Sequence, residues 1–137
     1  MSKRYAGGCA CGAVRYEASS EPAVQLHCQC RHCQHRSGTG HSSYLVFASR
    51  TGMTITGEAK TWCVAGDSGN EKIHAFCPAC GTPVYLTFAA GPDLIAIHAA
   101  SLDDPSQFNP QLVTYAKRGH AWDTIDNSLQ TFEQMPG

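Results

Sequence analysis

The 137-residue chain carries 42% hydrophobic and 15% charged residues and a formal net charge of −1; one ordinary domain spanning residues 1–137 is expected at this length, and so low a charged share excludes a disordered chain. No net field draws it to nucleic acid or anionic lipid, and no run approaches the roughly 18 apolar residues of a membrane span. The N-terminus, Met1-Ser2-Lys3-Arg4-Tyr5, has no apolar signal core, so a cytoplasmic protein is expected.

In chain order, short runs rich in β-branched and aromatic residues predict strands over residues 13–18, 24–27, 44–48, 53–56, 61–64, 73–76, 84–88, 94–98 and 112–115. Each is bounded by Gly, Pro, Asp, Asn or Ser, the usual turn formers. Polar and apolar residues alternate through Ala13-Val14-Arg15-Tyr16-Glu17, the pattern of a half-buried strand. Helical turns are predicted only over residues 31–36 and 105–108. In the second, Asp103 or Asp104 can cap a turn opened by Pro105. The fold class is mainly β with few short helical turns. Its many long-range pairings would gain from a covalent or metal staple.

Eight cysteines make that staple a matter of metal rather than disulfides, since cytosolic thiols stay reduced. They fall as Cys9-x-Cys11, Cys28-x-Cys30-x-x-Cys33, Cys63 alone and Cys77-x-x-Cys80. Close spacings let several sulfurs converge on one ion. Cys77-Pro78-Ala79-Cys80-Gly81 has the form of a zinc knuckle, in which Gly81 permits a positive φ after the second ligand. Gly7-Gly8-Cys9-Ala10-Cys11-Gly12 is a second glycine-framed pair. Together Cys9, Cys11, Cys77 and Cys80 supply the four thiolates of a closed structural zinc site. The 65 residues between Cys11 and Cys77 would be closed into one loop, so metal binding would become folding free energy. Four buried, reduced cysteines acting as small apolar side chains are the alternative.

The run His27-Cys28-Gln29-Cys30-Arg31-His32-Cys33-Gln34-His35-Arg36 is of another kind. Cys28, Cys30 and Cys33 can place three thiolates on one ion, and three protein ligands with one open position describe a catalytic zinc. In the closed alternative, His27 or His35 supplies a fourth ligand, with His32 awkwardly placed inside the turn. Three thiolates on zinc make a poor Lewis acid that suits an incoming soft sulfur, which binds deprotonated. Such a thiolate can attack a small aldehyde or leave in the reverse step. Arg31 and Arg36, with the hydroxyls of Ser37, Thr39, Ser42 and Ser43, are placed to bind carboxylates of a thiol substrate.

Cys63 matches no ligand pattern and reads as a buried apolar cysteine on a strand. His74 and His98 read as satisfied strand histidines. His41 and His120 are the acid–base candidates, and the rings of Trp62 and Trp122 read as core.

Gly8-Cys9-x-Cys11-Gly12-x-Val14-x-Tyr16 and Cys28-x-Cys30-x-x-Cys33 followed by Ser37-Gly38 resemble the glutathione-dependent formaldehyde-activating enzyme family. The resemblance continues through Phe76-Cys77-x-x-Cys80-Gly81-Thr82-Pro83 and Ser101-Leu102-Asp103-Asp104-Pro105 to Trp122, Leu129-x-x-Phe132 and Pro136. One departure is Ala100, where the family pattern often has glycine. The resemblance implies a β-tent type fold, a structural zinc on the CxC and CxxC pairs, and a labile zinc on Cys28, Cys30 and Cys33. It also implies carbon–sulfur lyase chemistry between glutathione and a small aldehyde. The competing classes are a zinc-binding module and a metal- or redox-sensing protein without catalysis; the net charge and the pI of 6.6 speak against nucleic acid as the partner.

Overall fold

A computed structural model describes residues 3–136. They form eleven strands, one α-helix and three single 3₁₀ turns. The strands are β1 (Tyr5–Gly8), β2 (Arg15–Ala18), β3 (Val24–Cys28), β4 (Ser42–Phe47), β5 (Met53–Thr56), β6 (Lys60–Ala65), β7 (Glu71–Phe76), β8 (Pro83–Phe88), β9 (Ile95–His98), β10 (Leu112–Thr114) and β11 (Gln130–Thr131), and α1 spans Arg31–Ser37. The mainly β architecture of the sequence reading is therefore present, and each of the nine predicted strands overlaps an observed one. Strands β1 and β11 are additions.

Two open sheets result. Strands β1, β2 and β5 form a three-stranded antiparallel sheet. The larger sheet runs β11-β10-β3-β4-β9-β8-β7-β6. It is antiparallel from β3 to β6, with β10 parallel to both β3 and β11.

Neighbouring residues on a strand face opposite sides, and the central strands use both. Leu45, Phe47, Ile95 and Ile97 pack with Val84 against Tyr5, Val14 and Tyr16 of the N-terminal segment. Tyr44, Leu86 and Ala96 alternate with them and pack with Leu26, Cys30 and Cys33. The central strands thus carry a core on each face, and each core ends at a cysteine cluster: Cys9 and Cys77 belong to the first, Cys28, Cys30 and Cys33 to the second. Burying such side chains stabilises by about 1.5–3 kcal/mol apiece.

At the 105–108 turn, Asp104 rather than Asp103 is the cap, its carboxylate accepting from the Ser106 amide. Asp103 is paired instead with Arg15. Edge strand β6 presents Trp62 and Val64 inward and Cys63 outward. The expected burial of Cys63 is therefore wrong; it is exposed. Trp122 is no core residue either: 69% of it is exposed, and its ring stacks on His120 with centroids 4.7 Å apart.

Candidate metal centres

The first cluster joins two tight turns. The Cys9 amide donates to the Val14 carbonyl and the Gly12 amide to the Cys9 carbonyl. In the second turn the Gly81 amide donates to the Cys77 carbonyl at 2.8 Å, with Gly81 at φ +79 as its spacing predicts. Thr82 bridges them, its hydroxyl accepting from the Ala10 amide. The sulfurs of Cys9, Cys11, Cys77 and Cys80 all lie within 4.8 Å of one another. Cys9 to Cys11 is 3.6 Å and Cys11 to Cys77 is 3.7 Å. A disulfide needs about 2.05 Å, whereas four thiolates at about 2.3 Å from a tetrahedral ion stand about 3.8 Å apart. The donor set and spacing fit an ion. Backbone amides of Val14 and Ala79 point at Cys9 and Cys77 Sγ, which stabilises thiolate charge. At Cys80 the Thr82 hydroxyl and amide push the thiol down to about 5.

The second cluster sits where β3 hands over to α1. Cys28 ends the strand, and Cys30 caps the helix, its sulfur accepting from the Cys33 amide. Cys33 follows in the first turn. Their sulfurs also lie within 4.8 Å of one another, and all three residues are buried. The protons are shared unequally. The neighbouring sulfurs of Cys28 and Cys33 push the Cys30 pKa down, while those of Cys28 and Cys30 push Cys33 up. Any thiol of the cluster that keeps its proton must give it up when an ion binds. The Tyr44 hydroxyl lies 3.2 Å from Cys33 Sγ.

No histidine or carboxylate among the described residues joins these three sulfurs. His27 Nδ1 is 2.7 Å from Ser43 Oγ, and burial beside His41 holds its pKa down at about 4. His35 meets Arg31 at 3.1 Å. His120 is held by Gln34 at 2.9 Å and His41 by Asp123 at 2.7 Å.

A cavity of about 160 Å³ opens beside Cys30, lined by Arg31, His32, Gly66, Asp67, Lys72, Tyr115 and Arg118. Burial works to lower the Lys72 pKa, and the nearby cysteine cluster outweighs it and raises the value, keeping the ammonium charged. Tyr115 forms this wall from a left-handed backbone, φ 57, a conformation that costs a β-carbon-bearing residue about 1 kcal/mol or more. Hydrogen bonds from Tyr115 and Ala116 to Gln134 and Phe132 hold it there.

The expected carboxylate site is divided. Arg31 lines this cavity, but Arg36 and the hydroxyl residues line a different one. His74 and His98 are buried, yet both His74 ring nitrogens and His98 Nε2 lack partners, so neither is the satisfied histidine expected. The ring of Trp62, half-buried, stacks on His74 at 4.4 Å. Lys72, Asp67, Tyr115 and Arg118 went unnoticed in the sequence. Strand alternation alone puts Lys72 on the face of His74. The brace Gln34, whose amide nitrogen bonds the carbonyls of Gln29 and Arg118, left no signal.

Paired thiol clusters closing the two cores of an open β structure define a class of cysteine-cluster proteins able to hold metal ions. A sequence profile of the glutathione-dependent formaldehyde-activating enzyme family matches residues 4–118, and the chain belongs to that family. Its fold is similar to that of a Rhodobacter sphaeroides protein of known crystal structure, with a TM-score of 0.59 at 19% identity, covering 80% of this chain and 99% of that one. The profile match ends before Trp122 and the residues after it. No helix among the described residues is long and apolar enough to cross a membrane.

Proposed function

We propose that this protein is a zinc-dependent carbon–sulfur lyase that makes or cleaves the adduct of glutathione with a small aldehyde such as formaldehyde. Cys9, Cys11, Cys77 and Cys80 would hold a structural zinc, and Cys28, Cys30 and Cys33 a labile one. The observation that carries the reading is the cavity beside Cys30, whose wall holds Arg31, Lys72 and Arg118 together with one carboxylate, Asp67. Three cations and one anion complement a peptide thiol with two carboxylates and one ammonium group. At about 160 Å³ the cavity takes the thiol end, with the charged ends at its rim.

A soft ion on three thiolates would lower the pKa of an incoming thiol so that it binds as thiolate. The chain's residues do the rest. Arg31, Lys72 and Arg118 hold the substrate's carboxylates and concentrate an anion at a charged cluster. In the forward direction the substrate sulfur attacks the carbonyl carbon, a carbon–sulfur bond forms, and the carbonyl electron pair moves to oxygen. That oxygen then takes a proton, and the Lys72 ammonium is the half-buried donor lining the cavity. The reverse step returns the proton and expels the thiolate.

Magnetisation-exchange NMR on a mixture of glutathione and formaldehyde tests this directly. Zinc-loaded wild type is expected to speed exchange between free and hydroxymethylated glutathione, and Cys30→Ser to abolish the effect while remaining folded by circular dichroism. Equal exchange rates with wild type and Cys30→Ser would refute the reading and leave a sensing or metal-binding role.

A further inference from the structure

A second cavity, of about 360 Å³, opens where the C-terminal end of α1 meets the start of β4, the start of β8 and the end of β9. None of the eight cysteines lines it. We propose that it binds a small organic carboxylate, held by the Arg36 guanidinium with the buried His98 ring as the second polar contact. The site stands apart from the thiol chemistry and goes beyond it.

The argument rests on which hydrogen-bonding groups in the wall already have partners. Three serine oxygens are committed: Ser42 Oγ donates to the Cys33 carbonyl, Ser101 Oγ to the His98 carbonyl, and Ser43 Oγ pairs with His27. His41 is committed through Nδ1 to Asp123. Two nitrogens of the wall are left buried without a partner. Arg36 Nε is the first, and among the described residues the guanidinium makes one hydrogen bond, a long one of 3.5 Å from Nη2 to the Ala75 carbonyl. No carboxylate forms an ion pair with Arg36 among the described residues. Its charge rests on the faces of Trp62 and Phe76, 5.4 and 5.6 Å from the ring centroids.

His98 is the second. It is 7% exposed, lines the cavity, and its Nε2 has no partner. Burial and the nearby Arg36 hold its pKa near 3, so the ring is neutral and still carries one N–H. A guanidinium without a carboxylate partner and a buried ring nitrogen without any partner are each costly. What the wall lacks is an acceptor bearing negative charge. The guanidinium fork matches a planar carboxylate, and Pro83 and Ala100 offer apolar wall to a short carbon chain. A volume of about 360 Å³ sits at the small end of ligand pockets, which excludes a peptide.

The test is a propionate titration of the metal-loaded protein followed by ¹H–¹⁵N NMR, with inorganic phosphate in parallel. Saturable shifts are expected at the amides of Thr39, His41, Ala100 and Ser101, with Cys30, His32 and Lys72 unmoved. Arg36→Gln should weaken binding roughly tenfold or more, as loss of a charged hydrogen bond does. Ala100→Phe, an exposed position whose new ring would fill the cavity, should abolish binding without touching the core; it decides the matter if Arg36→Gln does not fold. No saturable shift, shifts indifferent to Ala100→Phe, shifts centred on Cys30 and Lys72, or phosphate binding as tightly as propionate would each overturn the proposal.

Discussion

Asp123 Oδ2 lies 2.7 Å from His41 Nδ1, across 82 residues of sequence. The contact ties the segment beyond the family match to the link between α1 and β4. It depends on a close approach, because a methyl group at Gly40 would stand 2.4 Å from the Asp123 β-carbon.

Gly40→Ala should therefore pull Asp123 off His41. A loss of about 1–2 kcal/mol in denaturant unfolding is expected, the usual cost of one broken, partly buried polar contact. The imidazole ¹⁵N shifts of His41, read at one fixed pH, should move in both Gly40→Ala and Asp123→Asn. If the two variants leave those signals as in wild type, the contact does not hold the tail.

The two clusters should part company under mutation. Cys77 is fully buried in the core between the sheets, and a four-thiolate zinc contributes about 10–16 kcal/mol to folding, as much as a typical domain's whole stability. Cys77→Ser is expected to be insoluble or to melt without cooperativity. Cys30→Ser should keep a cooperative melt and lose one metal per chain. A mild chelator should strip the three-thiolate site first, read as metal content against time.

Acid should destabilise the protein through its buried neutral histidines. His74 and His98 titrate near 4 and 3 when folded, against 6.5 for the free side chain; burial is the main cause in both. Below pH 6.5 the unfolded chain takes up protons that the folded one refuses, so stability is complete above that pH and falls as pH drops toward 4 and 3. Each pK unit is worth about 1.4 kcal/mol. Urea midpoints from pH 7 to pH 4 should fall in wild type, and more gently in His74→Gln. Parallel slopes in the two proteins would show that His74 is not the titrating group.

Cys63 should behave as a bystander. Cys63→Ala is expected to retain every metal ion and to shift stability by less than about 0.5 kcal/mol, as exposed substitutions do. With both clusters metal-loaded, Cys63 should be the cysteine that alkylating reagents reach first, though slowly, because desolvation and neighbouring Glu71 raise its pKa. Mass spectrometry of the labelled peptide reads this out.

The cysteine clusters and most strands were legible because their signals are local: spacing, turn residues, runs of β-branched side chains. Strand β1, Tyr5-Ala6-Gly7-Gly8, has no β-branched residue and exists because β2 pairs with it and Leu102 bridges it. Two-residue β11 depends in the same way on β10. Cys63 was misread because an edge strand and a central strand share one local pattern, and only the neighbours tell them apart. The division of Arg31 from Arg36 between two cavities follows from their separation of five residues on α1, a spacing that turns them to different sides of the helix. Lys72 on β7 and Arg118 in the 3₁₀ turn after β10 reach the Cys30 cavity through long-range folding, which no local window contains.

The two clusters are interleaved along the chain, and this sets an order of events during synthesis. Cys28, Cys30 and Cys33 are complete before Cys77 and Cys80 are made, while Cys9 and Cys11 wait with half a site. Chains emerge N-terminus first, so a nascent chain offers its compact three-thiol cluster to metal while the long loop is still open. On the proposed assignment, an ion captured there early would be the exchangeable one, and closure of the late knuckle would commit the chain to its fold.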